Sequence, residues 1–103
     1  MVQYEVKITE QALKDMKSIY EHIACVLLSP GNAIEQYNRI ADAILKLDTL
    51  PERFKVMDSE PEHSRGIRRM LVDNYSIFYV INKSDVTVTN VLYSASDLSQ
   101  RLR

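Results

Sequence analysis

The sequence predicts an α+β fold of two layers, with an antiparallel sheet carrying a helical hairpin on one face, in the order β-α-α-β-β-β. Three observations predict it. Residues 2–8 alternate in polarity, residues 13–47 carry apolar side chains at spacings of three and four, and residues 67–93 hold three β-branched and aromatic runs. One sheet with both helices on the same face satisfies every apolar stripe and leaves the other face open.

The first strand places Val2, Tyr4, Val6 and Ile8 on one side and Gln3, Glu5 and Lys7 on the other. Thr9 then caps a helix, because its hydroxyl can accept from the exposed N–H groups of the first turn. Leu13, Met16, Ile19, Tyr20, Ile23 and Leu27 make the buried stripe, with Lys14, Asp15, Lys17 and Glu21 on the wet side. Ser29-Pro30-Gly31-Asn32 ends that helix and starts another, with Asn32 and Glu35 at capping-box spacing. Ile34, Tyr37, Ile40, Ala41, Ile44 and Leu47 form the second stripe, and Pro51 stops it. So short a link makes the two helices an antiparallel hairpin.

Residues 51–64, with two prolines and mixed charge, read as a long surface loop. Strands follow at Ile67–Val72, Tyr75–Ile81 and Val86–Tyr93. Asp73-Asn74 and Asn82-Lys83-Ser84-Asp85 link them, and Asp and Asn tolerate the positive φ of tight hairpins. The run Tyr75–Ile81 is apolar on both faces and should be a central strand. Asp97 can cap a one-turn tail, with Leu98 four residues before Leu102.

Length and composition bound the function. A chain of 103 residues holds one domain, spanning 1–103, and its 46% hydrophobic and 26% charged side chains exclude a disordered or low-complexity protein. No apolar run can cross a bilayer and the start lacks a secretory pattern, so a cytoplasmic protein is expected. Cys25 is the only cysteine, which excludes an internal disulfide and a four-cysteine zinc site. The net charge of −1 hides an asymmetry: residues 1–52 hold five basic and eight acidic side chains, residues 53–103 eight and six. Affinity for a polyanion must therefore come from a local patch, and the densest is Arg65-Gly66-Ile67-Arg68-Arg69.

Arg68 and Arg69 are strand neighbours, so their side chains leave on opposite faces, and the one facing the helices needs a carboxylate, an edge position or a bulge. Either a guanidinium stands on the open face to hold phosphate or an acidic partner, or both are solvated strand arginines. Tyr93, at the end of the last strand, can stack on a base or move a proton; Tyr4, Tyr20 and Tyr37 read as core. His63 is the one histidine near the basic cluster. His22 and Cys25 are two ligands without a third, Glu60 and Glu62 read as hydrated loop carboxylates, and no motif implies a cofactor.

Leu50-Pro51-Glu52-Arg53, Arg65-Gly66-Ile67-Arg68-Arg69, Val72-Asp73-Asn74-Tyr75-Ser76-Ile77-Phe78-Tyr79 and Val91-Leu92-Tyr93-Ser94-Ala95-Ser96-Asp97 occur in an informative order. In them the chain resembles the RelE/ParE superfamily, the toxins of bacterial type II toxin–antitoxin modules. The resemblance implies a twisted sheet with a helical hairpin on one side, a cognate antitoxin partner and a toxin–antitoxin hetero-oligomer. Members like RelE cut messenger RNA in the ribosomal A site with basic side chains on the concave sheet face and a C-terminal tyrosine; members like ParE inhibit DNA gyrase.

Carried onto this chain, Arg69 falls at a basic strand position and Ile67 at another. Ser76 and Ala95-Ser96 stand where the family often has arginine, and Leu102 near the tail tyrosine. Of these positions the resemblance retains Arg69 alone; the chemistry of cleavage could be rebuilt around Arg68, Arg69 and Tyr93 as catalytic candidates, with Arg65 and Arg101 binding substrate. They would act on message at the ribosome; the alternatives are a gyrase inhibitor without catalysis, or a degenerate toxin that keeps only antitoxin binding. The functional reading as a whole requires the guanidinium groups to gather over one exposed hollow of the sheet, opposite the helices.

Overall fold

The computed structural model describes residues 3–94. Strand β1 (Glu5–Ile8) leads into helix α1 (Glu10–Glu21), a π-helical turn (His22–Val26) and helix α2 (Pro30–Leu45). Two short 3₁₀ turns, Lys46–Asp48 and Pro51–Arg53, precede β2 (Arg68–Val72), β3 (Tyr75–Asn82) and β4 (Asp85–Tyr93). The α+β class and element order are those read from the sequence. Val2 and the tail around Asp97 lie outside the described residues.

The strands form one sheet in the order β1-β4-β3-β2, which puts β3 inside as expected. The sheet is mixed rather than antiparallel: β2, β3 and β4 form a meander, but β1 pairs parallel to β4, Glu5 to Ile8 against Asp85 to Val88. The connection from β1 to β4 runs through the helical hairpin and the meander, a crossover long enough for parallel pairing. A bulge at Thr89 separates the pairs Phe78–Asn90 and Tyr79–Val88. It resets the alternation, so Val86, Val88 and Val91 all face the helices.

The main core lies between the sheet and the hairpin. Ala12 and Met16 of α1 and Ile40 and Ile44 of α2 meet Met70, Ile77, Tyr79, Val86, Val88 and Val91. Both helices are rotated by about one residue from the stripe read in the sequence. Leu13, Leu27, Ile34 and Tyr37 are exposed, whereas Ala12, Asp15, Ala33 and Gln36 are buried. Ala12 and Ala33 are wholly buried, and Asp15 turns inward because it has a partner there. Its carboxylate accepts the Val91 N–H at 3.0 Å. Helix α2 also starts two residues before Asn32, with Pro30 in its first turn, where a missing N–H costs nothing.

The opposite face is not fully open. Ile67 and Met57, from the end and the start of the loop before β2, pack on Phe78, Leu92 and Val80 in a second, smaller cluster. The segment after the second helix is therefore a partial roof over the outer sheet face.

Candidate functional site

Strand β2 is one of the two edge strands of the sheet, bridged at its start by Val56, and it carries Arg68 and Arg69. Its two-residue turn to β3 is held by Asp73, in the left-handed region at φ 55°. The Asp73 carboxylate accepts Arg39 Nε at 2.8 Å and Gln36 Nε2 at 3.0 Å, which ties the turn to α2. The hydrogen bond from Arg39, then that from Gln36, lowers the Asp73 carboxyl below its ordinary pKa.

At the other end of β2, Arg68 lies on the helix side, opposite Tyr79 in the register. Its Nη1 donates to Phe54 O at 2.6 Å and Glu52 O at 3.2 Å, so the edge position relieves the burial problem. Arg53 donates to Thr49 O and Leu50 O and lies over the Phe54 ring at 4.8 Å. Tyr79 is fully buried and donates its hydroxyl to Pro51 O at 2.6 Å. Burial pushes its phenol up to about 12, although Arg68 and Arg53 pull the other way. A shallow groove of about 420 Å³ runs between this edge and α2, with Arg39, Lys46, Arg53 and Leu71 among its walls.

Arg69 points to the outer face. Its Nε donates to Ser76 Oγ at 3.0 Å, and Ser76 Oγ lies 2.8 Å from Ser94 Oγ. Tyr93 is on the helix side, paired with Tyr75, and their rings meet edge to face at 5.8 Å. Desolvation, then the charge of Tyr93, raises the Tyr75 phenol. Arg65 is exposed in the turn before β2, and His63 Nδ1 is bonded to Met57 O at 2.9 Å.

The sequence-predicted candidates are thus not brought together. Arg68 and Tyr93 share the helix side at different positions along the sheet, Arg69 occupies the outer face, and Arg65 stands on the roof loop. Arg101 lies outside the described residues. The hollow expected to gather the guanidinium groups is divided by the sheet itself and partly roofed by Ile67 and Met57. Among the described residues no three metal-ligating side chains converge, and no helix is long and apolar enough to cross a membrane.

Sequence reasoning missed Arg39, Lys46 and Arg53 as neighbours of the basic strand. The available signal was the spacing of Arg39, on α2, and Lys46, at its C-cap, seven residues apart, which puts them on one flank of the helix beside whatever edge it covers.

Residues 6–98 match the model of the ParE toxin of the type II toxin–antitoxin system, parDE. The chain belongs to the ParE toxin family. Solved structures agree on the fold of this ParE-family chain. The chromosomal ParDE system from P. aeruginosa superposes with a TM-score of 0.74 at 20% identity, covering 88% of this chain and 96% of that one. The RelBE2 toxin–antitoxin complex from Mycobacterium tuberculosis gives 0.64 at 19% identity, covering 89% and 99%. The archaeal RelE–RelB complex from Pyrococcus horikoshii gives 0.60 at 20%, covering 91% and 98%. Comparison with curated proteins finds no match. RelE-type and ParE-type toxins share this fold, so their targets must be distinguished by the site.

Proposed function

We propose that this ParE-family chain is the growth-inhibiting half of a cytoplasmic toxin–antitoxin module, held in check by its antitoxin, and that it acts by binding DNA gyrase rather than by cutting message. The observation that carries the choice is the separation of Arg68 and Arg69 on opposite faces of the sheet. Cleavage by 2′-hydroxyl attack needs a cation on the developing phosphate charge and a proton-moving group at the same place. Here Arg68 holds backbone carbonyls, Tyr93 stacks on Tyr75 across the sheet from Arg69, and the Tyr79 phenol is buried and hard to ionise. Inhibition by binding asks only for a complementary surface.

The rival reading, ribosome-dependent cleavage of messenger RNA, has one observation in its favour. Arg69, Ser76 and Ser94 form a polar trio on the outer face that can grip a phosphate.

Induced expression with separate labelling of DNA synthesis and translation tests the proposal. DNA synthesis is expected to stop while translation continues, and purified chain is expected to inhibit gyrase supercoiling. Discrete cuts on programmed ribosomes that disappear with Arg69→Ala would overturn it in favour of the nuclease.

A further inference from the structure

We propose that the tip of the helical hairpin, Val26-Leu27-Leu28, is the contact by which this chain engages its target protein, entering an apolar cleft with a basic rim. The inference rests on the reading of the chain as an inhibitor that works by binding, and it names the surface and the chemistry of that binding.

The tip presents three consecutive apolar side chains to water. Val26 is 66% exposed, Leu27 57% and Leu28 81%, and Ile34 is exposed at the same end of the hairpin. A surface avoids such a run unless it meets something. Backbone bonds hold the run in place. Leu27 N–H donates to His22 O at 3.1 Å and Ser29 N–H to Ile23 O at 3.0 Å, and Ala33 N–H donates to Ser29 O at 3.0 Å as α2 begins. Leu28 is fixed between them in the left-handed region, φ 54°, where a Cβ is strained. Strain and exposure both count against the folded chain, and no described residue buries the leucine to offset them. A side chain held rigidly in water at a cost to its own fold is a preorganised contact for another molecule. Leu50 shares the conformation and the exposure, but Thr49 and the buried Pro51 flank it, so it gathers no apolar patch in the chain around it.

Charge and shape identify the occupant. Between Ser18 and Asn38 there is no lysine or arginine, while Glu21 and Glu35 are both exposed at this end of the hairpin. A phosphate-rich surface, whether a nucleic acid or an anionic bilayer, is therefore repelled. A two-fold contact of tip with tip would bring the glutamates of both copies together. Two convex ends also meet over too little area for a dimer, which takes about 800 Å² from each partner. An apolar knob with an acidic collar is complementary to an apolar cleft with a basic rim. Such a cleft requires a folded domain, so the target, rather than a short extended or helical segment, is the occupant.

The test measures growth arrest on induction, inhibition of supercoiling by purified gyrase, and thermal unfolding, for the full chain and three variants. Leu28→Asn removes the apolar side chain but keeps a residue that tolerates positive φ, so it should melt no lower than the parent. Its inhibitory concentration should rise about tenfold or more, and growth should continue at equal levels of soluble protein. Val26→Ser should act in the same direction. Leu45→Gln, which alters an exposed leucine at the far end of α2, should leave inhibition unchanged. Parental inhibition by Leu28→Asn, or an equal loss in Leu45→Gln, would overturn the proposal. So would a parent that sediments as a dimer beside a monomeric Leu28→Asn, which gives the tip to a second copy. Should Leu28→Asn fail to fold, Val26→Ser decides, together with saturation transfer from gyrase to the methyl groups of the parent. That transfer should reach Val26, Leu27 and Leu28 but not Leu45, and the reverse pattern counts against the tip. A parent that arrests growth without inhibiting gyrase, beside a harmless Leu28→Asn, rejects gyrase as the target and keeps the tip contact. A parent and a Leu28→Asn that inhibit gyrase equally reject the tip alone. A parent that neither arrests growth nor inhibits gyrase rejects both.

Discussion

The Asp15 carboxylate accepts the backbone N–H of Val91 at 3.0 Å, and thereby replaces the strand that β4 lacks beyond the end of β1. β1 stops at Ile8, while β4 continues to Tyr93, so the last part of β4 would expose an unpaired donor under α1. Gln11 donates to the other oxygen of Asp15 at 2.9 Å and holds it in place. One side chain therefore joins α1 to the sheet and seals an edge.

Asp15→Ala should be among the more damaging substitutions outside the apolar core. It leaves the Val91 N–H unsatisfied beneath a helix, which costs about 1–3 kcal/mol. Urea unfolding followed by circular dichroism measures this directly. Asp15→Asn keeps an acceptor oxygen and should lose less than half as much. Equal loss in both variants would mean that charge, rather than the hydrogen bond, carries the effect.

Tyr79 makes stability fall at alkaline pH. Its folded pKa, about 12, lies above the value of 10 expected in the unfolded chain, so the native state favours the neutral phenol. The stabilisation is complete below pH 10 and is lost as pH rises from 10 through 12. Tyr4 and Tyr75 are raised as well and act in the same direction. Tyr79→Phe removes the bond to Pro51 O, which lowers stability at neutral pH by about 1 kcal/mol. It should also flatten the alkaline decline, measured as the urea midpoint at successive pH values; an unchanged slope would show that Tyr79 does not titrate in this window.

Asp73 acts at the other end of the pH scale. Its folded pKa is depressed, first by the hydrogen bond from Arg39 and then by that from Gln36. The contribution is present above the unfolded value of 3.8 and is lost as pH falls through the lower folded one. The pair is exposed and screened by salt, so the effect is small at neutral pH. Arg39→Ala should raise the pH at which Asp73 titrates, read as the carboxyl carbon shift in an NMR titration. No movement would mean that the ion pair is absent in solution.

The order of elements was legible because each one has its own period: alternation in β1, spacings of three and four in the helices, β-branched runs in the meander. Two features were hidden for physical reasons. A polar residue on an amphipathic helix reads as solvated unless its partner is known, and the partner of Asp15 is a backbone N–H 76 residues away. Likewise strand alternation announces that Arg68 and Arg69 diverge, but not which one faces the helices, since the register depends on pairing with β3. The candidate site was legible as a basic stretch. Its relation to Lys46 and Arg53 was not, because that depends on which edge α2 covers.

Leu28 gives the last prediction. It sits between the π-helical turn and α2 in the left-handed region, φ 54°, with 81% of its surface exposed. A leucine in that conformation costs about 1–2 kcal/mol relative to the right-handed region. No burial offsets the strain, since the side chain is almost wholly in water. Glycine adopts this geometry freely but gains about 0.4–1 kcal/mol of freedom in the unfolded chain, which works against the native state. The difference leaves Leu28→Gly more stable by up to about 1.6 kcal/mol, whereas Leu28→Val should be less stable because β-branching makes positive φ worse. Thermal unfolding of the three proteins tests the order Gly above Leu above Val. If Leu28→Gly melts at a lower temperature than the parent, the exposed leucine makes a stabilising contact in solution and the hairpin tip is not the strained, solvated turn described above.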